Sequence, residues 1–198
     1  MSTGERRPGL RERKKAKTRA AIQSHALRLF REKGYDATTV QQIIEEVEVS
    51  ESTFFRYFPT KADVVLNDEF DPLIIRLFRE QPPEMNALQA LRAAFKAAFG
   101  QLTHEDEVVQ QDRMILILAV AELRAAMLDQ FASAMGLLSE LVAERTGHSA
   151  DEVAVRALAG AVVGVAMAAM FMVAEEPSVD LAEKLDQAMA CLEDRFGF

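Results

Sequence analysis

Apolar positions recur every three to four residues along nearly the whole chain, and no stretch shows a convincing strand-and-turn alternation. The spacing predicts a first helix from about Leu10 to Gly34. Ile22, Ala26, Leu29 and Phe30 form its stripe, and Gly34 is its C-terminal cap. A second, short helix follows Thr38. Thr39 and Gln42 stand at capping-box spacing, and Val40, Ile43, Ile44 and Val47 form its buried face. Ser50 caps a third helix, with Val49 and Phe54 at the positions of a hydrophobic staple, and Pro59 ends it. Thr60, three residues before Asp63, opens a helix expected to run to Gln81, with a kink or break at Asp71–Pro72. Long helices are expected over about 86–102, 106–119, 121–146, 150–174 and 179–195, with Ser149 and Glu152 as a capping box before the fourth of these. No internal repeat is present.

The second and third segments form two short helices joined by a tight turn, the pattern of a helix-turn-helix. At about 100° per residue, Phe54 and Phe58 share a face with Ser50, and Ser52 and Arg56 lie on the opposite side. An apolar face therefore packs inward, and a face of Ser, Thr, Arg and one aromatic is left outward. Arg56 is the expected base reader, because a guanidinium can grip guanine O6 and N7 in the major groove. The hydroxyls of Ser52 and Thr53 suit bases or phosphates. Tyr57 and Lys61 are expected at phosphates, as are Thr38 or Thr39 at the start of the second helix. The tail from Arg6 to Lys17, with Arg19 beyond it, is placed to follow the backbone or enter the minor groove.

Charge supports this division. The net charge of the 198-residue chain is −8, yet residues 1–61 hold 13 Lys/Arg against 8 Asp/Glu, a net +5, and the remainder is −13. A basic head on an acidic body fits phosphate binding through one end. Cys191 is the sole cysteine and excludes an internal disulfide, which with a charged N-terminus favours the cytoplasm. Residues 157–174 carry no charge. Their small residues and acidic flanks favour a buried soluble helix over a membrane span. His25, His104 and His148 have no metal-ligand spacing, and no phosphate loop, nucleophile elbow or cofactor motif appears, so neither an enzyme nor a cofactor is expected.

The segment Thr38–Lys61 resembles the head of the TetR family of regulators. Val49, Ser50, Thr53, Phe54, Arg56, Tyr57, Phe58, Pro59 and Lys61 fall on the family's pattern, and Leu29, Phe30, Gly34 and Tyr35 match the end of the preceding helix. Glu48 departs from it by standing where the family usually has Gly, which requires either a different turn or a strained backbone. Phe55 replaces a more common Tyr. Glu51 puts a carboxylate at the groove edge, to accept from cytosine N4 or to favour the helix N-terminus.

The resemblance implies an all-α protein: a three-helix head over residues 1–61 and a six-helix body over 62–198 that dimerises and holds a small molecule. It implies a repressor that binds a palindromic operator and is released by an effector. A non-inducible DNA-binding protein or an activator of the same fold is the alternative. Body residues at helical spacing offer pocket candidates: Phe70, Leu73, Phe95, Phe99, Met114 and Leu118, then Met127, Phe131, Met167, Met170 and Phe171. Arg113 is a candidate for holding an anionic group. The stretches from Arg113 to Met127 and from Arg156 onward are similar to a subgroup associated with acyl-CoA-like ligands, so the expected effector is a small hydrophobic or acyl-CoA-like molecule. The last two helices are the expected dimer contact, through Gly160, Gly164, Leu185, Met189 and Leu192, and the helix from Thr60 to Gln81 is the expected transmitter between ligand and head.

Overall fold

A computed structural model describes residues 9–67, 70–176 and 179–196, and among these residues it contains ten α-helices and no strand. The helices are α1 Leu10–Lys33, α2 Val40–Val47, α3 Glu51–Tyr57, α4 Lys61–Leu66, α5 Phe70–Arg79, α6 Ala87–Phe99, α7 His104–Ala119, α8 Ala121–Thr146, α9 Val153–Glu175 and α10 Leu181–Phe196. They divide into two compact units, Met1–Asn67 and Asp68–Phe198. The division falls six residues beyond the charge boundary at Lys61, because α4 packs on α1 and belongs to the head.

In the head, α1 carries Ile22, Ala26, Leu29 and Phe30 into a core completed by Ile43, Phe54, Phe58, Val64 and Val65. Gly34 ends α1 at φ 88°, a conformation that costs a side-chain-bearing residue dearly, and its amide returns to the carbonyl of Phe30. Thr39 and Gln42 form a complete capping box on α2, and Thr60 and Asp63 form another on α4.

The expected helix from Thr60 to Gln81 is not one helix. Asn67 is extended and ends α4, well before Pro72. Its carbonyl accepts from Gln23 Nε2 (2.5 Å) and Arg19 Nη2 (3.3 Å), so side chains of α1 satisfy a helix end that has no further turn. Pro72 sits in the first turn of α5, where a missing N–H costs little.

In the body, α8 and α9 pack along each other, α10 packs on α9 and α6, and α5 packs on α6. Leu88, Leu91, Ala94, Leu141, Val162 and Met189 are among the core residues of this layer. Helix α9 starts at Val153 rather than near 150. Glu152 reaches back to the Ser149 amide (2.9 Å), but its side chain closes a turn and leaves the helix N-terminus without a side-chain cap. Helix α7 starts slightly earlier than expected, at a capping box of Thr103 and Asp106. Among the described residues, α9 alone is long and apolar enough to cross a membrane. One face of it is core, whereas Val153, Phe171 and Met172 are exposed in the single chain, so it is not buried all round.

Candidate nucleic-acid interface and internal cavity

Helix α3 is positioned by its own side chains. Ser50 Oγ accepts the amide of Thr53 (3.2 Å) and lies 2.8 Å from Thr53 Oγ1 and 3.1 Å from Ser52 Oγ, so three hydroxyls cluster at the helix start. Phe54 and Phe58 are fully buried, with ring centroids 6.1 Å apart. Burying those two rings turns Glu51, Ser52, Phe55 and Arg56 outward, with Thr53 and Tyr57 half-buried at the flanks. Phe55 remains 43% exposed and meets Phe54 edge-on at 5.3 Å. The Arg56 guanidinium stands 5.4 Å from the Tyr57 ring centroid, a contact that extends the Arg side chain without consuming its donors. The outward face thus offers a forked cation, hydroxyls and one bare aromatic ring, a set that matches base edges, phosphates and thymine methyls.

Three residues expected at phosphates are engaged elsewhere. Thr38 is buried, and its hydroxyl donates to the carbonyls of Gly34 (2.8 Å) and Leu29 (3.3 Å), locking the turn between α1 and α2. Lys61 donates to the carbonyls of Tyr35 (3.0 Å) and Thr38 (3.3 Å) with its ammonium 3.9 Å from the Tyr35 ring centroid. Arg19 lies 5.0 Å from the Phe58 ring centroid and donates to Asn67. Lys61 and Arg19 reach across 23 to 48 residues, which no local sequence pattern reveals, whereas Thr38 closes the turn at the end of α1. Thr39 is exposed at the head of α2, and Lys17 is exposed on α1.

Sequence reasoning missed two further residues that shape this unit. Gln23 closes the end of α4, and Arg28 bridges Glu32 (2.9 Å) and Glu46, tying α1 to α2. Glu48, at the turn before α3, adopts φ 56°, ψ 42°, the left-handed conformation that glycine takes freely. Of the two expectations for this position, the strained backbone is the one present.

The body contains a cavity of about 160 Å³ between α5, α6, α8 and α9. Of the expected pocket residues, Phe95 and Phe131 line it. Leu73, Phe99 and Met167 pack against the surrounding core without lining it. Met114 and Met127 are buried elsewhere, Leu118 and Met170 are half-buried away from it, and Phe171 is 44% exposed. Their positions on the helices turn them away from the cavity, whose wall is shared with core residues such as Leu141 and Val162. Arg113 does not line the cavity. The side chain of Phe70 lies outside the described residues. Ile74, Leu137 and Val162 line the cavity and were not singled out, because nothing in an aliphatic pattern separates a lining residue from a core one.

Two expected interface residues, Leu185 and Met189, are buried in the core of their own chain. Gly160 faces α8, where a Cβ would stand 3.5 Å from Met135 Sδ. Gly164 is exposed with open space beside it, and Leu192 is half-buried against the core. The exposed part of α9 instead presents Ala157, Gly164, Ala168, Phe171 and Met172. Arg92 of α6 forks onto Asp186 of α10 (2.7 and 3.0 Å) and also pairs with Glu193 (2.5 Å), which holds α10 in place. Its guanidinium keeps the Asp186 carboxyl below the usual carboxylate range. Among the described residues, no cluster of His, Cys, Asp or Glu is arranged to hold a metal.

Residues 22–67 match the profile described as bacterial regulatory proteins of the tetR family, and residues 85–197 match that of the MftR C-terminal domain. The chain is 36% identical over 152 residues to the transcriptional regulator TcmR of Streptomyces glaucescens, covering 73% of this chain and 67% of TcmR. It is 26% identical over 178 residues to a Mycobacterium tuberculosis regulator, MftR, named for mycofactocin biosynthesis, with 89% of each chain covered. Among solved structures, SmeT in complex with triclosan superposes with a TM-score of 0.59 at 21% identity, covering 88% of this chain and 91% of that one. TylP of Streptomyces fradiae superposes with a TM-score of 0.55 at 23% identity, covering 90% and 86%. With both its head and its body matched, and an outward α3 face suited to base edges, the chain belongs to the TetR family of DNA-binding transcriptional regulators and is not an enzyme.

Proposed function

We propose that the chain is a cytoplasmic repressor that binds a palindromic operator as a homodimer and is released when a small-molecule effector enters the body. One observation carries the DNA half of this reading. Burial of Phe54 and Phe58 leaves Ser52, Phe55 and Arg56 exposed together on one side of α3. Arg56 reads a guanine, Ser52 and Thr53 flank it, Glu51 borders the groove, and Tyr57, Thr39 and Lys17 reach phosphates. Ser50 serves this face by fixing the helix start.

The dimer contact runs through the last two helices. Helix α9 contributes the uncovered stripe of Gly164, Ala168, Phe171 and Met172, and α10 contributes the exposed side that carries Gln187 and Cys191. Small residues in that stripe allow close helix approach, and a two-fold protein matches a two-fold operator. The effector acts by favouring a body state that pairs poorly with DNA, which requires unequal affinity for the two states.

The test combines two measurements on the full chain. Sedimentation at micromolar concentration is expected to give a dimer, and substitution of Phe171 and Met172 by Asp is expected to give monomers. Fluorescence anisotropy with a selected operator is expected to give tight binding that falls when the effector is added. A dimer that binds DNA equally with every extractable small molecule would make the chain a non-inducible regulator.

A further inference from the structure

The cavity also speaks to the class of effector. We propose that it selects an uncharged, hydrocarbon-like molecule about the size of one aromatic ring, and that no ionised headgroup enters it. This deepens the effector-released reading above and rests on it.

Among the described residues, every lining side chain is hydrocarbon. Ile74 and Ile75 come from α5, Phe95 from α6, Phe131 and Ala134 from α8, and Ala166 from α9, with aliphatic residues completing the wall. There is no hydroxyl, amide or charge among these side chains. A carboxylate or phosphate placed against these side chains would give up part of its water and find no side-chain partner among them. Four arginines of the body are engaged by other groups. Arg92 is held by Asp186 and Glu193, Arg79 by Glu144, Arg145 by the carbonyls of Pro82 and Met85, and Arg124 by the carbonyl of Leu118. The volume of about 160 Å³ is close to that of dry apolar cavities, about 150 Å³, that hold a benzene molecule. Phe95 and Phe131 supply two ring faces or edges to such a guest. Ala134 and Ala166 keep the space open, since a larger residue at either position would project into it.

The experiment titrates the full chain with toluene, benzoate, benzylammonium and octanoyl-CoA, read by calorimetry and by the shift of the thermal midpoint. Toluene is expected to bind and raise the midpoint. The charged ring analogues and octanoyl-CoA are expected to bind at least about tenfold more weakly, a difference of about 1.4 kcal/mol. Ala134→Leu and Ala166→Leu are each expected to abolish toluene binding in a chain whose far-ultraviolet circular dichroism still shows the folded helical content. Tighter binding of octanoyl-CoA than of toluene, or equal binding of benzoate, would overturn the proposal using the unmodified protein alone. So would toluene binding that survives both substitutions. Operator affinity measured in the same samples separates the two readings. Selective toluene binding with unchanged operator affinity supports the cavity's selectivity and removes its role in release.

Discussion

In the head, the short helices α2, α3 and α4 each open on a side chain that accepts the amide three residues on: Thr39, Ser50 and Thr60. In the body, α8 and α9 run to 26 and 23 residues and open with no side-chain cap. The contrast follows from length. Helices of six to eight residues are unstable alone, so caps and a few large rings must define where they start and which way they turn. A definition that local also fixes the outward face. A long apolar helix needs no such punctuation, because its position is set by its neighbours. The body's cavity is accordingly a space left where four helices meet, rather than a face prepared by one.

Emptying the head's core has the largest expected effect. Phe54→Ala is expected to cost the head about 3–5 kcal/mol, since the ring is fully buried against Phe58. If the units are specified separately, calorimetry will show the head's transition lost and the body's midpoint unchanged. A single transition that shifts as a whole would mean that the two units unfold together.

The next effect lies in the body. Arg92→Met is expected to destabilise it by about 1–2 kcal/mol, because a two-partner bridge at partial exposure is screened but geometrically favourable. The pH dependence has a definite sign. Arg92 holds the Asp186 carboxyl below its ordinary value of 3.8, so the bridge's contribution is present above that pH and is lost as pH falls through the lower folded value. Denaturant titrations of the two proteins should therefore differ near neutrality and converge in acid. A constant gap across that range would assign Arg92 a packing role only.

The smallest effect sharpens the head again. Glu48→Gly is expected to stabilise it by about 1 kcal/mol by removing a side chain from a left-handed backbone. A loss of stability would show that Glu48 makes contacts worth more than its strain.

The same contrast explains what could be read before the structure. The caps at Thr39, Ser50 and Thr60, the inward turn of Phe54 and Phe58, and the outward turn of Ser52 and Arg56 all follow from spacing within one helix. The other roles depended on contacts across helices. Lys61 and Thr38 have the residue types of phosphate ligands, yet carbonyls at the end of α1 and in the following turn claim them. Asn67 looks unremarkable in the sequence, and where it ends α4 its carbonyl is covered by Gln23 and Arg19. In the body, the helices were legible from their periodicity. Which of their apolar residues would face the cavity was not, since Phe95 and Phe99 stand one turn apart on α6 and only the first lines it. Leu185 and Met189 show the same ambiguity, an apolar stripe that serves the chain's own core as readily as a partner.

The exposed face of α3 is proposed to read DNA, with Arg56 as its sequence-specific member. The direct measurement is the affinity of the unmodified chain and of Arg56→Ala for an operator series in which each base pair is changed in turn. The unmodified chain is expected to discriminate at one G·C pair in each half-site by about 1–3 kcal/mol, and Arg56→Ala to lose this preference while keeping the others. An Arg56→Ala protein that weakens evenly across every sequence, or that keeps the same preferences at full affinity, would contradict it.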